Sequence, residues 1–286
     1  MKKAAEIFML AALMLSAALT VRAQEAEPAD VLRRDVEFLS DTLCAGRASL
    51  TPGASEAAMY IMRRFKLMGY KPEIQSFAFG RNIVAGDLAA RKKLLVAAYY
   101  DGLGAKEKMY PGADSNASGV AAMLALAEKL SGSGLPIVFA AVDCHADGSG
   151  AAALRESIPG VERVINLDIM GGANPPVYKF WKDFLIVLGG DRWKANLENA
   201  NSVTALHLYW DYFNSRAFTD LFYRHSGVHK PFLDAGLPCI MFSSGITMDT
   251  NLPSDTAEKL DYGILARRVD FIFRFIKESY GRFSSR

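Results

Sequence analysis

The sequence predicts an α/β fold in which a sheet is covered by helices on both faces. Two observations point there. Short, almost wholly apolar runs recur along the chain, as strands buried on both sides require. Segments with apolar residues at helical spacing alternate with those runs, the arrangement of a sheet whose strands are joined through helices. No stretch rich in Gly, Pro or Ser divides the chain, so one domain of about 260 residues is expected, at the upper end of single-domain size.

The elements follow in order. Residues 30–39 place Val31, Leu32, Val36, Phe38 and Leu39 at helical spacing. Residues 55–68 repeat this with Ala58, Met59, Ile61, Met62, Phe65 and Leu67, and Gly69 supplies the stop. Residues 73–79 alternate and read as a strand, and the apolar run 93–100 as a buried one. Residues 112–119 are a loop that feeds an apolar helix over 120–130. Further buried strands are expected at 136–142, 163–169, 184–188 and 237–242, and a terminal amphipathic helix at 262–279. Segment 180–225 is aromatic, with Trp181, Trp193, Trp210, Tyr209, Tyr212 and Phe213, and reads as packing material rather than a stacking wall.

The first 23 residues stand apart. Lys2 and Lys3 precede a fourteen-residue apolar run, 7–20, and Val21-Arg22-Ala23 ends in a small residue before Gln24. This pattern reads as a secretory signal peptide, with cleavage expected after Ala23 and residues 24–286 as the domain. Fourteen apolar residues fall short of the roughly 20 needed to span a bilayer. The expected location is therefore outside the cytoplasm, periplasmic or secreted, and the leader reads as bacterial. Its removal takes three of 33 basic and one of 31 acidic residues and leaves 30 of each. A chain with no basic excess is not expected to bind nucleic acid, and no later apolar segment is long enough to span a membrane. Cys44, Cys144 and Cys239 form neither a disulfide framework nor a zinc-finger spacing, although one pair could bridge.

In sheets of this kind ligands sit at the carboxyl ends of the strands. Four predicted strand ends carry acids or His: Tyr99-Tyr100-Asp101, Asp143-Cys144-His145-Ala146-Asp147, Asp168, and Asp249, Asn251 and Asp255. The loop Gly112-Ala113-Asp114-Ser115-Asn116-Ala117-Ser118-Gly119 completes the set.

Taken together these segments resemble metallopeptidase family twenty-eight, the co-catalytic zinc aminopeptidases and glutaminyl cyclases. The resemblance rests on Leu39-Ser40-Asp41-Thr42-Leu43-Cys44-Ala45-Gly46-Arg47, on Ala57-Ala58 to Gly69, on Gln75, Phe77 and Arg81-Asn82-Ile83-Val84, and on the loop Gly112 to Gly119. Asn166-Leu167-Asp168-Ile169-Met170-Gly171 and Pro253-Ser254-Asp255-Thr256 follow in the family's order. It implies a single-domain three-layer sandwich with a mostly parallel, twisted sheet of about eight strands. It also implies two zinc ions that share a carboxylate and a water, held by His, Asp and Glu, with a Glu as general base.

The departures fall on the metal site. Tyr99 stands where the family has a His, although Asp101, the acid behind that His, remains. Ser115 replaces the bridging Asp. His145 occupies the general-base position and Ala146 the adjacent ligand position, while Asn251 replaces the last His. Of five ligands only Asp168 is retained, so no metal cofactor is expected. A phenol with a pKa near 10 and neutral hydroxyl and amide oxygens are poor zinc donors. Without dications, clustered carboxylates repel and suffer desolvation, so their loss as a set is physically coherent. Asp168 is then expected to accept hydrogen bonds from Tyr99 or His145.

Three functions remain open on the sequence. The first is a non-catalytic peptidase-like module that binds a peptide or protein partner. The second is a hydrolase in which Ser115, His145 and Asp168 form a nucleophilic triad, against the plainer possibility that Ser115 caps the following helix. The third is a metal-dependent peptidase with a shifted site drawn from Asp114, Asp143, His145, Asp147 and Asp168. His229, in Gly227-Val228-His229-Lys230-Pro231-Phe232, matches another family segment and reads as structural. His207 and His225 belong to no motif.

Overall fold

A computed structural model describes residues 27–173 and 182–281 of the chain. The leader and Trp181 lie outside the described residues. Helix α1 (Pro28–Ser40) and helix α2 (Pro52–Leu67) come first. Thr51 caps α2 through a bond from Ala54 N, Pro52 opens it, and Gly69 at φ +86° ends it. The hairpin β1 (Glu73–Phe77) and β2 (Gly80–Gly86) precedes β3 (Lys93–Tyr99). A tight turn, Ala113–Ala117, leads into α3 (Ser118–Leu130). The chain continues through β4 (Ile137–Val142), α4 (Ser149–Ser157), β5 (Val161–Leu167), β6 (Phe184–Leu188) and α5 (Lys194–Thr204). Then come β7 (His207–Tyr209), α6 (Arg216–Arg224), α7 (Lys230–Asp234), β8 (Cys239–Ser243) and α8 (Tyr262–Gly281).

The eight strands form one mixed sheet in the order β1-β2-β4-β3-β5-β8-β6-β7. Its centre, β4-β3-β5-β8, is wholly parallel. The antiparallel pairs flank it at β1-β2, β2-β4 and β6-β8. The apolar run of β3 shows why continuous hydrophobicity predicted a central strand. Leu94, Val96 and Ala98 enter one core and Leu95, Ala97 and Tyr99 the other, because strand side chains alternate between faces. Helices α1, α2, α3, α5 and α8 cover the first face, and α4 and α7 the second. A third cluster packs Phe184, Ile186 and Met241 against Tyr212 and Phe213, so much of the aromatic segment is core.

The three cysteines are free and buried, so no disulfide forms among them. No helix of the described residues is long and apolar enough to cross a membrane.

Candidate functional site

The carboxyl ends of the four central strands lie side by side, and the acids and His predicted there meet at one edge. Tyr99, Ser115, His145, Ala146, Asp168 and Asn251 line one cleft of about 490 Å³. Asp101 and Asp114 lie behind it, both buried. The structure adds Phe222, His225, Lys230 and Ile246 to the lining, all from the α6–α7 region and the loop after β8. The sequence did not place them at the site because their segments hold no strand-end signature. The His225 position in particular carries no spacing that would mark it.

The cleft is organised by two buried polar side chains. Asn116 donates through Nδ2 to Tyr99 O (3.2 Å) and Leu167 O (3.0 Å), which ties the ends of β3 and β5 together. Its Oδ1 accepts from Gly119 N (3.2 Å) and Ile169 N (2.8 Å). Asn116 therefore caps α3, and Ser115 does not, contrary to the simpler expectation for that hydroxyl. Asp255 is the second organiser. Its Oδ1 accepts from Asp114 N (2.7 Å), and its Oδ2 accepts from Ser115 N (3.0 Å) and Ser115 Oγ (2.8 Å).

The backbone after Asp168 is strained. Ile169, the next residue, is β-branched and sits at φ +59°, a conformation that costs such a residue about 1–3 kcal/mol. Bonds from Ile169 N to Asn116 Oδ1 (2.8 Å) and from Ser244 N to Ile169 O (2.6 Å) hold it there. Among the described residues no hydrogen bond joins Asp168 to Tyr99 or His145, so the expected acceptor role is corrected. The reason is that His145 has another partner: its Nδ1 lies 2.9 Å from Asp101 Oδ2, and its backbone N–H donates to the same carboxylate at 3.2 Å. The imidazole stacks on the Tyr99 ring, centroids 3.8 Å apart and planes within 17°.

Titration follows from these contacts. Burial pushes the Tyr99 phenol well above its ordinary value, and the neighbouring Asp168, Asp101 and Asp114 add to the rise, so the proton stays. Burial would lower the His145 pKa, but the hydrogen bond and charge of Asp101, with Asp168, raise it overall. Burial raises Asp168 to about 6, against the nearby His145. Burial and the adjacent Asp255 raise Asp114 to about 7, and Asp114 Oδ2 has no hydrogen-bond partner.

The side chains do not suit a pair of zinc ions. The five positions that the resemblance assigns to zinc ligands offer a protonated phenol, a hydroxyl committed to Asp255, a methyl, one carboxylate and an amide. The shifted acid set does not assemble either. Asp143 turns inward, with Oδ1 accepting from Ser49 Oγ (2.6 Å) and Oδ2 from Arg81 N (3.1 Å), while Asp147 is exposed and bonds Ser149 N (2.8 Å). Among the described residues no group of three His, Cys, Asp or Glu is placed to hold a metal ion. The predicted triad is not connected either: among the described residues no hydrogen bond joins Ser115 to His145, Ser115 Oγ donates to Asp255, and His145 Nδ1 faces Asp101 rather than Asp168. His229 is fully buried between Asn166 Nδ2 (3.1 Å from Nδ1) and Tyr223 O (2.8 Å from Nε2). Burial lowers its pKa to about 4, so it is a neutral structural group.

Replacing Ser115 by Asp would restore the carboxylate that the resemblance calls for. It would also set two buried carboxylates within hydrogen-bond distance, since Ser115 Oγ is 2.8 Å from Asp255 Oδ2. We expect Ser115→Asp to lose about 2–4 kcal/mol in urea unfolding at pH 8 and Ser115→Asn to lose less. Equal midpoints for the two variants would refute this account of the site.

This sheet order, with its working edge at the carboxyl ends of the central strands, is the architecture of zinc aminopeptidases. Residues 82–276 match the family model of peptidase family M28, and the chain belongs to that family. Solved structures agree on the fold. The LapA aminopeptidase of Legionella pneumophila superposes with a TM-score of 0.72 at 14% identity, over 88% of this chain and 72% of LapA. A zinc aminopeptidase from Bacillus subtilis gives 0.69 at 13% identity, over 90% of this chain and 96% of its own. The glutaminyl cyclase of Porphyromonas gingivalis gives 0.67 at 17% identity, over 88% and 98%.

Proposed function

We propose that this member of peptidase family M28 is a non-catalytic, exported relative of the zinc aminopeptidases that binds a peptide or protein partner in its strand-end cleft. The observation that carries the reading is the donor set. Tyr99, Ser115, Ala146 and Asn251 stand at four of five ligand positions and leave Asp168 alone. The commitment of Ser115 Oγ to Asp255 supports it further, since among the described residues no hydrogen bond links that hydroxyl to His145. Export rests on the leader over residues 1–23.

Protein purified without chelator is expected to carry far less than one zinc per chain by elemental analysis. It is also expected to release no product from a panel of aminoacyl substrates. Stoichiometric zinc with turnover would overturn the proposal. Activity of any kind should further be checked in Asp168→Asn, which removes the retained ligand.

A further inference from the structure

The cleft occupies the carboxyl ends of β4, β3, β5 and β8. At the amino ends of the same four strands lies a second concavity, a groove of about 810 Å³. Its residues come from the starts of these strands, from the turn after β6 that carries Arg192 and Trp193, and from Tyr280 near the end of α8. That volume suits a ligand of several residues.

Arg163 marks the groove as more than a packing defect. Its guanidinium is held between two rings, 4.3 Å from the Trp193 centroid and 4.6 Å from that of Tyr280. Among the described residues no carbonyl or carboxylate accepts from it, and its Nη1 is buried with no hydrogen-bond partner. The buried arginines elsewhere behave differently. Arg47 and Arg268 donate to backbone carbonyls, and Arg64 to Asp35 and Glu128. A guanidinium carries five N–H donors in one plane. Both rings lie within 4.6 Å of it, and a partly buried cation is left with no hydrogen-bonded carboxylate, only the field of the neighbouring Glu162. Burial holds its pKa below the ordinary arginine value, with Glu162 acting in the opposite direction.

The surroundings state what would complete it. Lys92 and the exposed Arg192 add positive charge to the rim. One acid lines the groove among the described residues, Glu162, and it is paired with Lys92 at 2.6 Å. That acid opposes a dianionic phosphate more than a single carboxylate. Val161, Leu237 and Pro238 supply apolar wall on either side. We propose that this groove is a second binding site that takes an acidic peptide segment, with a carboxylate paired in plane to Arg163 and apolar side chains against the walls.

The test is calorimetric titration of the whole chain with acetyl-Leu-Glu-Phe-Glu-amide and with its Gln counterpart. The acidic peptide is expected to bind about tenfold tighter or more, the size of one lost charge-assisted pair. Arg163→Gln should remove most of the difference between the two peptides. Arg192→Gln, a substitution on the surface, should weaken the acidic peptide severalfold while the melting temperature stays put, and it carries the test if Arg163→Gln fails to fold. Equal affinity of the two peptides for the unmodified chain, or undiminished binding in both variants, would overturn the site. Inorganic phosphate or glutarate binding as tightly as the peptide would overturn the peptide assignment. None of these outcomes depends on whether the strand-end cleft is catalytic.

Discussion

Arg47→Met is expected to cost about 4 kcal/mol or more of folding stability, enough to unfold much of a protein of ordinary stability. Arg47 is fully buried. Its Nε donates to Tyr100 O (2.8 Å), Nη1 to Leu39 O and to Pro111 O (2.8 Å), and Nη2 to Gly112 O (2.9 Å). One guanidinium thus ties the end of α1, the exit of β3 and the loop that carries Asp114 and Ser115. Methionine fills similar volume but leaves four carbonyls without that donor, and unsatisfied buried acceptors are costly. It also removes the cation whose field reaches Asp101, Asp255 and Tyr99. Arg47→Lys should fail nearly as badly, because an ammonium has three donors and no planar fork. Urea unfolding followed by circular dichroism reads the loss directly. A change below about 1 kcal/mol in Arg47→Met would mean that the clamp is not structural.

The second large effect is on pH dependence. The Asp114 pKa is raised from 3.8 to about 7 by burial and by Asp255. Between those values the folded protein holds a proton that the unfolded chain has released, so folding stability falls as pH rises through that window. The shift of about three units corresponds to roughly 4 kcal/mol. Asp168, raised to about 6, acts in the same direction up to that pH. The His145 pKa is raised too, so its contribution is present in acid and lost as pH climbs through the folded value. Asp114→Asn keeps an oxygen for Gly171 N (2.7 Å) and Ser118 Oγ (3.0 Å) and removes the ionisation. The variant should therefore lose much less stability than the parent between pH 5 and pH 8 in urea titrations. Parallel pH profiles for the two proteins would refute the assignment. The sign is opposite to that of an ordinary paired carboxylate, which stabilises as pH rises.

Much of the fold was legible in the residues alone. The central strands β3, β4, β5 and β8 announced themselves as apolar runs because both faces are buried. The helices with one clear apolar stripe, α1, α2 and α8, did so by spacing. Other pieces escaped, among them β2, β7 with three residues, α4 with nine, α5, and α6, whose apolar residues pack only partly. Such segments are set by what they pack against, and periodicity over a few residues cannot separate helix from strand.

The site divides in the same way. The identities of Tyr99, Ser115, Ala146 and Asn251 are local facts, so their weakness as zinc donors could be read from residue type alone. The edge on which those residues gather also followed, from the rule for parallel strands. Their partners did not. Ser115 bonds Asp255, 140 residues away, and His145 bonds Asp101, 44 away. The Ser115–His145 pairing that one of the three readings required is not among the hydrogen bonds of the described residues. The groove around Arg163 was invisible for the same reason, since Arg163, Trp193 and Tyr280 share no spacing and meet only where α8 returns across the sheet. The sequence by itself determined which atoms are present and which faces turn inward, because residue type and periodicity are properties of short stretches. Tertiary structure alone decided which donor meets which acceptor, because a hydrogen bond of under 3.5 Å between distant residues depends on the packing of the whole chain.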